Sequence, residues 1–406
     1  MVSVARLAGR VVAGAGVLAL SPVLGLAGLA GTAMVGARPV VFAVTGLAVF
    51  ASVFFLGLLL CVPRPRAVWG RWVRAVALLA VEALVVWQAA AATLGPPPPS
   101  PAAPAKVAGQ REWRLPTGSR LAYVRTAPKR VTRAEPVVFL HGGPGVGDLE
   151  RDAAFYGRLA SEGFDVYVYD QLGAGRSARL DDPRGYGLDR DVADLEPVRR
   201  LIGAERLNLV ARDHGAQLAA AYLVHHPGRV ARAALYSPDG LTPSRPATSA
   251  LLSPGALPGP RTLAVATLLQ VDPVAAHAFA GDPGLSAHLA RVRRAAAAPC
   301  PSPAEEGAAG GYVALAGRPA PASLRADLGA VNVPVLIVKG ACDTESWSAA
   351  AAYREALPDA RLAYLGETGG RDRHTAHLRL LGAFLTDRPL TVYEGDAPPP
   401  DYKGPA

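Results

Sequence analysis

The sequence predicts an α/β fold, in which a mostly parallel sheet carries helices on both faces, preceded by membrane helices. Three apolar runs occupy the first 95 positions, a Pro-rich segment follows them, and strand-like runs then alternate with helical patterns. Such alternation is typical of parallel strands joined by crossover helices. The expected regions are a membrane region at 1–94, a linker at 95–110, a core at 111–240 and 331–395, a cap at 241–330 and a Pro-rich C-terminal tail at 396–406.

The three apolar runs are Val11–Ala33, Pro39–Val62 and Val73–Thr93. Each has the length of about 20 residues that an α-helix needs to cross a hydrocarbon layer of roughly 30 Å. Half of the 406 residues are hydrophobic, and the mean hydropathy is positive, which is high for a soluble protein. We therefore expect three transmembrane helices, with the lipid bilayer as a partner.

The positive charges around these runs predict their orientation. Arginines cluster before the first run and between the second and third, on what must be one side of the membrane: Arg6, Arg10, Arg64, Arg66, Arg71 and Arg74. Because loops rich in Lys and Arg stay in the cytoplasm, the N-terminus is expected inside. The chain is then a multi-pass protein of the cell membrane, and the domain after the linker lies outside the cytoplasm.

Charge and cysteine usage exclude several classes of function. The net charge of +9 comes from arginines that are spread along the chain rather than clustered with aromatic residues, so no nucleic-acid partner is expected. Cys61, Cys300 and Cys342 form no CxxC or metal-ligand pattern, and we expect neither a metal nor an organic cofactor. Cys300 and Cys342 can pair in an oxidising compartment, and two unpaired thiols are the alternative.

The α/β domain shows seven strand-like segments and four long helical ones. The strands are expected at Arg120–Arg125, Val137–Leu140, Asp165–Tyr169, Leu207–Val210, Ala233–Tyr236, Val335–Val338 and Arg361–Leu365. The helices are expected at Ala153–Ser161, Asp189–Ile202, Gly215–His225 and His374–Thr386. The strand pattern stops in the Ala-, Pro- and Gly-rich stretch at 241–330, which we interpret as a cap inserted between two strands.

Chemistry-bearing residues follow several of these strands. Ligands of parallel α/β sheets bind beyond the carboxyl ends of the strands. His141–Gly145, reading HGGPG, follows one strand, and its glycines let backbone N–H groups approach a ligand closely. Such donors can stabilise an oxyanion, although an ordinary turn explains the same residues. Tyr169–Ser177, reading YDQLGAGRS, shapes the same edge.

A strand, a sharp turn and an Ala-rich helix are expected across Leu207–Pro227. The turn reads ARDHG and has the spacing of a nucleophile elbow, with Asp213 at its apex. A carboxylate at a helix N-terminus is stabilised by the helix dipole and can attack a carbon centre. The alternative is that Asp213 only caps the helix. Asp343 follows another strand and can orient a catalytic imidazole, or it is a solvated turn residue.

These motifs, in this order, resemble the α/β-hydrolase superfamily, and most of all its proline iminopeptidase-like branch. The resemblance covers residues from about 115 to 390 and implies the α/β-hydrolase fold with the order nucleophile, acid, histidine. It places Asp213 at the nucleophile position and Asp343 at the acid position. It also implies that the backbone N–H groups of Gly143 and His214 form the oxyanion hole.

The sequence departs from that branch at the elbow, where aspartate replaces serine and Ala211 replaces the first glycine. Aspartate at this place is similar to epoxide hydrolases and haloalkane dehalogenases. The chemistry differs in kind, because a carboxylate that attacks a carbonyl gives a high-energy anhydride. Attack on an sp³ carbon gives an ordinary ester that water can open, so C–O or C–halogen opening fits better than peptide cleavage.

The remaining site residues are less well determined by the motifs. The family's histidine falls in GETGGRDRHTAH, where His374 is our prediction and His377 the alternative. In the cap, Glu305, Glu306 and Tyr312 are expected to contact the substrate. The sequence thus predicts a membrane-anchored hydrolase acting on a small organic substrate. The alternatives are a proline iminopeptidase-like peptidase or esterase and a catalytically inactive hydrolase fold used for binding.

Overall fold

The computed structural model describes residues 2–95, 105–143, 147–241, 259–295, 321–366 and 370–405. It divides into two compact units. The first comprises Met1–Pro98 and Leu251–Gly284, and the second comprises Pro99–Ala250 and Leu285–Ala406. The chain therefore leaves the second unit, contributes to the first, and returns.

The elements follow one another along the chain as the sequence predicts, with a few additions. The strands are β1 Arg111–Arg114, β2 Arg120–Thr126, β3 Val137–Leu140, β4 Val166–Tyr169, β5 Leu207–Asp213, β6 Val230–Pro238, β7 Val335–Gly340 and β8 Ala360–Leu365. The α-helices are α1 Val2–Met34, α2 Pro39–Cys61, α3 Val68–Leu94, α4 Leu149–Tyr156, α5 Leu188–Ile202, α6 His214–His225, α7 Pro260–Val271, α8 Pro273–Ala295, α9 Leu324–Asp327, α10 Trp347–Ala356 and α11 Gly370–Leu385.

In the first unit, α1, α2 and α3 are long and apolar enough to cross a membrane, as the sequence predicts. Helices α1 and α2 approach each other closely because small residues lie at their contact. A Cβ added at Gly46 would lie 2.9 Å from the Cβ of Leu29, and one added at Gly57 would lie 2.7 Å from Leu18. Close backbone approach through small residues is typical of helices that associate in lipid.

The inserted stretch contributes α7 and the first part of α8 to this unit. Leu268 of α7 and Ala276 of α8 share one buried cluster with Leu29 of α1 and Phe42 of α2. Arg261 donates hydrogen bonds to the carbonyls of Thr93 and Gly95, at 3.1 and 2.6 Å, at the end of α3. These contacts satisfy carbonyls that a helix end leaves without intrahelical partners. Helix α8 has a kink at Gly281, where φ is +63°.

The second unit is built on one sheet with the strand order β1-β2-β4-β3-β5-β6-β7-β8. The pairs β1–β2 and β2–β4 are antiparallel, and every later pair is parallel. The predicted mostly parallel sheet is thereby confirmed. Strand β1 was not predicted, because Trp113 is its one buried residue and the strand shows no alternating pattern.

Buried side chains cover both faces of this sheet. One cluster packs residues of α5, α6 and α10 against it, including Leu195, Leu218 and Tyr353. The other packs α4 and α11 against the opposite face, including Ala153 and Phe384. Because both faces of the sheet are covered by apolar side chains, polar side chains of the site lie at the ends of the strands.

The C-terminal segment of the chain packs against β8 and the residue that follows β7. Backbone N–H groups of Tyr393 and Lys403 donate to the carbonyls of Leu362 and Ala341, at 2.6 and 2.8 Å. The indole of Trp347 donates to the carbonyl of Asp396 at 3.0 Å, and its backbone N–H donates to Pro405 at 2.8 Å. The Pro-rich tail is therefore a packed part of the second unit.

The cysteines differ in state. Cys342 is disulfide-bonded and Cys61 in α2 is free. Cys300 lies outside the described residues, as do Glu305, Glu306 and Tyr312.

Candidate active site

The end of β5 makes a tight bend at Asp213. Its φ of 51° and ψ of −122° place it in a backbone region that residues other than glycine rarely adopt. Such a conformation costs about 1–3 kcal/mol and persists only where the surrounding structure enforces it. Helix α6 begins at the next residue, so the side chain of Asp213 stands at a helix N-terminus. The bend has the geometry that the elbow motif predicts.

Two glycines allow this bend to sit close to β3. A Cβ added at Gly215 would collide with the carbonyl oxygens of Leu140 and His141. A Cβ added at Gly142 would collide with the carboxylate of Asp213. The HGG stretch therefore lies directly beside the elbow, where the sequence places it.

The two predicted oxyanion donors flank this point. Gly143 has a φ of +146°, a conformation that L side chains rarely adopt, and it directly follows the glycine that contacts Asp213. His214 is the first residue of α6, whose first N–H groups have no acceptor within the helix. The imidazole of His214 lies 4.0 Å from Asp191. Pro144 and Gly145 lie outside the described residues.

His141 ties the two glycine-rich loops together. Its Nδ1 is 2.7 Å from the carbonyl of Gly142, and its Nε2 accepts a hydrogen bond of 2.9 Å from the backbone N–H of Gln171. Burial lowers the pKa of His141 to about 4, so the ring is neutral and donates through Nδ1. Its role is to hold the loops that shape the site.

The acid position lies at the end of β7. Asp343 is buried, and its Oδ2 accepts a hydrogen bond of 2.8 Å from the backbone N–H of Gly340. The ammonium of Lys339 lies 3.3 Å from the same oxygen. Within the described part of the chain, no histidine contacts Asp343. Its charge is balanced by a lysine instead of an imidazole.

Lys339 is a site residue that the sequence reasoning missed. Its side chain is fully buried, and its Nζ donates a hydrogen bond of 2.7 Å to the carbonyl of Glu345. Burial lowers the pKa of Lys339, while the carboxylates of Asp343, Glu345 and Asp213 act in the opposite direction. The ring of Tyr402 lies 5.5 Å from the ammonium. One signal could have found Lys339. It lies in the apolar strand β7, all of whose residues are buried, and a charged residue in such a strand needs a partner.

Two further acidic side chains, Asp239 and Glu345, belong to this group and were also missed. The backbone N–H of Asp239 donates to the carbonyl of Asp213 at 3.3 Å. Burial raises the pKa of Glu345 to about 8, and the nearby charge of Asp213 raises it further than any other charge does. The ends of β5, β6 and β7 thus bring four carboxyl groups and one ammonium together.

The structure does not bring the predicted base, His374, to this group. His374 is exposed, and its ring lies 5.3 Å from that of Phe155 on α4. The alternative, His377, is buried and stacks on Tyr236 at 4.7 Å. Its Nε2 has no hydrogen-bond partner among the described residues, and burial lowers its pKa to about 3. The family pattern implies a histidine in the loop after the last strand. Here α11 already begins at Gly370, so both histidines lie on a helix.

The arrangement offers a carboxylate nucleophile position, backbone donors and further acids, but no histidine paired with the acid. Among the described residues, no cluster of His, Cys, Asp and Glu side chains has the geometry to hold a metal ion. Carboxylates as a class can act as nucleophiles and can exchange protons.

Comparisons with known proteins agree with this geometry. A family model described as alpha/beta hydrolase fold matches residues 135–260, which contain the HGG stretch and the elbow. The proline iminopeptidase of Heyndrickxia coagulans is 34% identical over 107 residues, which are 25% of this chain and 35% of that protein. That of Neisseria gonorrhoeae is 37% identical over 98 residues, which are 23% and 30% of the two chains. This chain thus spans about a third of these relatives.

Solved structures with a similar arrangement include two bacterial enzymes. A proline iminopeptidase from Mycobacterium smegmatis is 20% identical, with a TM-score of 0.46, over 68% of this chain and 98% of that one. An enol-lactonase from Burkholderia xenovorans is also 20% identical, with a TM-score of 0.48, over 68% and 100%. Residues 135–260 match the alpha/beta hydrolase fold model, part of the chain is similar to proline iminopeptidases, and the elbow of this chain carries an aspartate at its apex.

Proposed function

We propose that the protein is a membrane-anchored hydrolase that acts on a small organic substrate with Asp213 as its nucleophile. The observation that carries the proposal is the backbone of Asp213, held at φ 51° and ψ −122° with its carboxylate against Gly142. A residue that only capped α6 would not need this conformation. Strain of this kind is kept where a side chain must be presented to a ligand.

The chemistry of a carboxylate nucleophile defines the substrate class. Asp213 attacks an sp³ carbon and forms an alkyl ester as the bond to the leaving group breaks. Water then attacks the carbonyl carbon of this ester, and the bond from that carbon to the alkoxy oxygen breaks. The alcohol leaves with one proton of the water, the Asp213 carboxylate is restored, and the second proton passes to solvent. The backbone N–H groups of Gly143 and His214 are the proposed donors to the oxyanion formed in this second step.

The second step also needs a base for the attacking water. His374 does not suit this role in the described conformation, because it is exposed and contacts Phe155. His377 is closer to the site through its stacking on Tyr236, but it does not contact Asp343. The proposed base for the water is therefore one of the other carboxyl groups of the site, Asp239, Asp343 or Glu345.

The proposal is tested by trapping the ester. The full-length protein in detergent is incubated with an epoxide and, separately, with an alkyl halide, and the peptide that contains Asp213 is analysed by mass spectrometry. An alkyl adduct on Asp213 is expected. Asp213→Asn should abolish the adduct and lower turnover by about a thousandfold or more, as losses of nucleophiles do.

Asp327→Asn is the matched control, because Asp327 is exposed on the short helix α9. It should leave adduct formation unchanged. Full turnover by Asp213→Asn would end the assignment of Asp213 as nucleophile.

The membrane anchor and its orientation are part of the proposal. Three helices with sufficient length and apolarity support the anchor. The disulfide at Cys342 supports a location outside the cytoplasm, because disulfides persist in oxidising compartments. Protease added to intact cells should therefore cleave the domain that follows the membrane helices. Cleavage that occurs only after lysis would overturn this orientation.

A catalytically inactive, ligand-binding hydrolase fold is the second candidate. It is favoured by the pairing of Asp343 with Lys339, where an active member would present an imidazole. In that case no probe should alkylate Asp213, while a ligand should still raise the unfolding temperature.

The third candidate is a proline iminopeptidase-like peptidase or esterase, favoured by the similarity to those enzymes over part of their length. Attack of Asp213 on an amide would produce an anhydride, which argues against this activity. Release of proline from a prolyl peptide that survives Asp213→Asn would support it.

A further inference from the structure

The segment inserted between β6 and β7 packs against the membrane helices near one end of them. Leu268 of α7 and Ala276 of α8 are buried in one cluster with Leu29 of α1 and Phe42 of α2. The ring of Phe42 lies 5.9 Å from the ring of Phe279 on α8, measured between centroids. The two inserted helices therefore share an apolar core with helices that are long and apolar enough to cross a membrane.

One guanidinium joins the end of α3 to both inserted helices. Arg261, the second residue of α7, donates hydrogen bonds to the carbonyls of Thr93 and Gly95 at 3.1 and 2.6 Å. The same guanidinium lies over the ring of Phe279, 5.1 Å from its centroid. Arg261 is the one charged residue of α7. Its charge lies at the level where α3 ends, while Leu268, two turns further along α7, packs against α1 and α2.

The position of this cluster along the membrane helices gives its depth. Helix α2 has 23 residues. At about 1.5 Å per residue it is roughly 35 Å long, slightly more than a hydrocarbon layer of roughly 30 Å, so its ends lie near the edges of that layer. Phe42 closes the first turn of α2, and Leu29 lies in the second turn from the end of α1. The cluster thus lies about 5–8 Å inward from the helix ends.

We propose that α7 and the first part of α8 form a second membrane contact of the protein, at the boundary between the head groups and the acyl chains of the bilayer. This contact rests on the three helices crossing the bilayer, which is part of the proposed function. Interfacial helices lie about 5–10 Å into the same boundary. A cap that lay in water would pack beyond the ends of α1 and α2, and Leu268 would not reach Leu29.

The segment that makes this contact belongs to the hydrolase in sequence. It follows β6 and the neighbouring Asp239, whose backbone N–H donates to the carbonyl of Asp213 at 3.3 Å. It precedes β7, which leads to Asp343. The chain between Asp239 and Asp343 therefore passes through the bilayer boundary. The bilayer is a partner of the inserted segment, and not of the N-terminal helices alone.

The depth of α7 is measured by fluorescence quenching on the full-length protein. Cys61→Ser removes the free cysteine, and Leu269→Cys or, in a second variant, Thr267→Cys adds one at a half-buried position of α7. The new cysteine is labelled with a fluorophore, and the protein is reconstituted into phosphatidylcholine vesicles. Separate vesicles carry a nitroxide on the head group, near the top of the acyl chain or at its end. The loss of fluorescence should be greatest with the nitroxide near the top of the chain.

Two matched variants define the limits of the measurement. Leu79→Cys replaces an exposed leucine near the middle of α3, and the nitroxide at the end of the acyl chain should quench its label most strongly. Leu201→Cys replaces an exposed leucine on α5, a helix of the second unit, and no lipid nitroxide should quench its label. Two positions on α7 are used so that a folding defect in one variant does not decide the result.

The outcomes separate the second membrane contact from the anchor on which it rests. If the label at Leu79→Cys is quenched and both α7 labels behave like that at Leu201→Cys, the inserted segment lies in water and the contact is overturned, while the anchor stands. Strongest quenching of the α7 labels from the end of the acyl chain would also overturn the boundary position. If the label at Leu79→Cys is not quenched, α3 does not cross the bilayer, and the anchor and the contact both fail.

Discussion

The two sides of the site differ in what holds them in place. On the elbow side, Asp213, Gly142 and Gly215 are positioned by the backbone, through a strained bend and close approaches that leave no room for a Cβ. On the acid side, Asp343 is positioned by side chains, one from four residues earlier in the chain and one from the C-terminal tail. Lys339 contacts it directly, and Tyr402 contacts Lys339 from the C-terminal tail.

One side of the site is thus held by backbone geometry, and the other is held by a buried ion pair. The elbow is a strand, a tight bend and a helix, with aspartate at the bend. On the acid side, Asp343 pairs with a buried lysine, and the C-terminal tail packs beside that lysine. Substitutions on the two sides should therefore lower the stability of the protein for different physical reasons and by different amounts.

The largest effect is expected from Lys339→Met, which leaves the buried carboxylate of Asp343 without its cation. Removing one partner of a buried ion pair costs about 3–5 kcal/mol. Thermal unfolding of the full-length protein in detergent should show a fall of roughly 10 °C in the unfolding temperature. Lys339→Met combined with Asp343→Leu should recover much of the loss, because a paired apolar replacement is often neutral. A single variant as stable as the native protein would contradict the buried pair.

A smaller loss, of about 3 kcal/mol, is expected from Gly215→Ala on the elbow side. The added Cβ would collide with the backbone carbonyls of Leu140 and His141, and backbone cannot move aside as a side chain can. Gly228→Ala is the matched control, since no atom lies within 4 Å of a Cβ added there. Equal unfolding temperatures for the two variants would show that β3 and the elbow are not in close contact.

The smallest effect is expected from Tyr402→Phe, which removes the hydroxyl that donates to Glu345 and lies 3.0 Å from the carbonyl of Pro405. One lost hydrogen bond of this kind costs about 1 kcal/mol. The unfolding temperature should fall by about 3 °C. Tyr393→Phe removes a more exposed hydrogen bond, from a residue just before the tail to the carbonyl of Ala397, and should cost less. If Tyr402→Phe has no effect, the tail does not hold the acid side.

The elbow side could be predicted from sequence because each of its features is local. HGG follows β3, and ARDHG joins β5 to α6, so a strand, a turn and a helix are read from adjacent residues. Asp343 was predicted for the same reason. Lys339 and Glu345 were missed, although they lie in the same segment, because their importance depends on Tyr402 and Asp213, which are distant in sequence.

The histidine marks the limit of motif reasoning. His374 and His377 were chosen by their distance from the last strand, but the start of α11 at Gly370 turns one outward and the other against Tyr236. Residues three apart share one face of a helix, yet His374, in the second turn of α11, is exposed and His377, one turn further along, is buried. Spacing in the sequence does not define where a helix begins.

The sequence by itself determined the apolar helices, the order of strands and helices, and the aspartate at the elbow, because length, hydrophobic pattern and turn residues act over a few neighbouring positions. The tertiary structure alone decided which groups meet that aspartate. The return of the C-terminal tail to Lys339 and the packing of α11 against Tyr236 each join residues far apart in the chain. These distant contacts help to determine the electrostatic environment of the site. They cannot be predicted from the pattern of neighbouring residues.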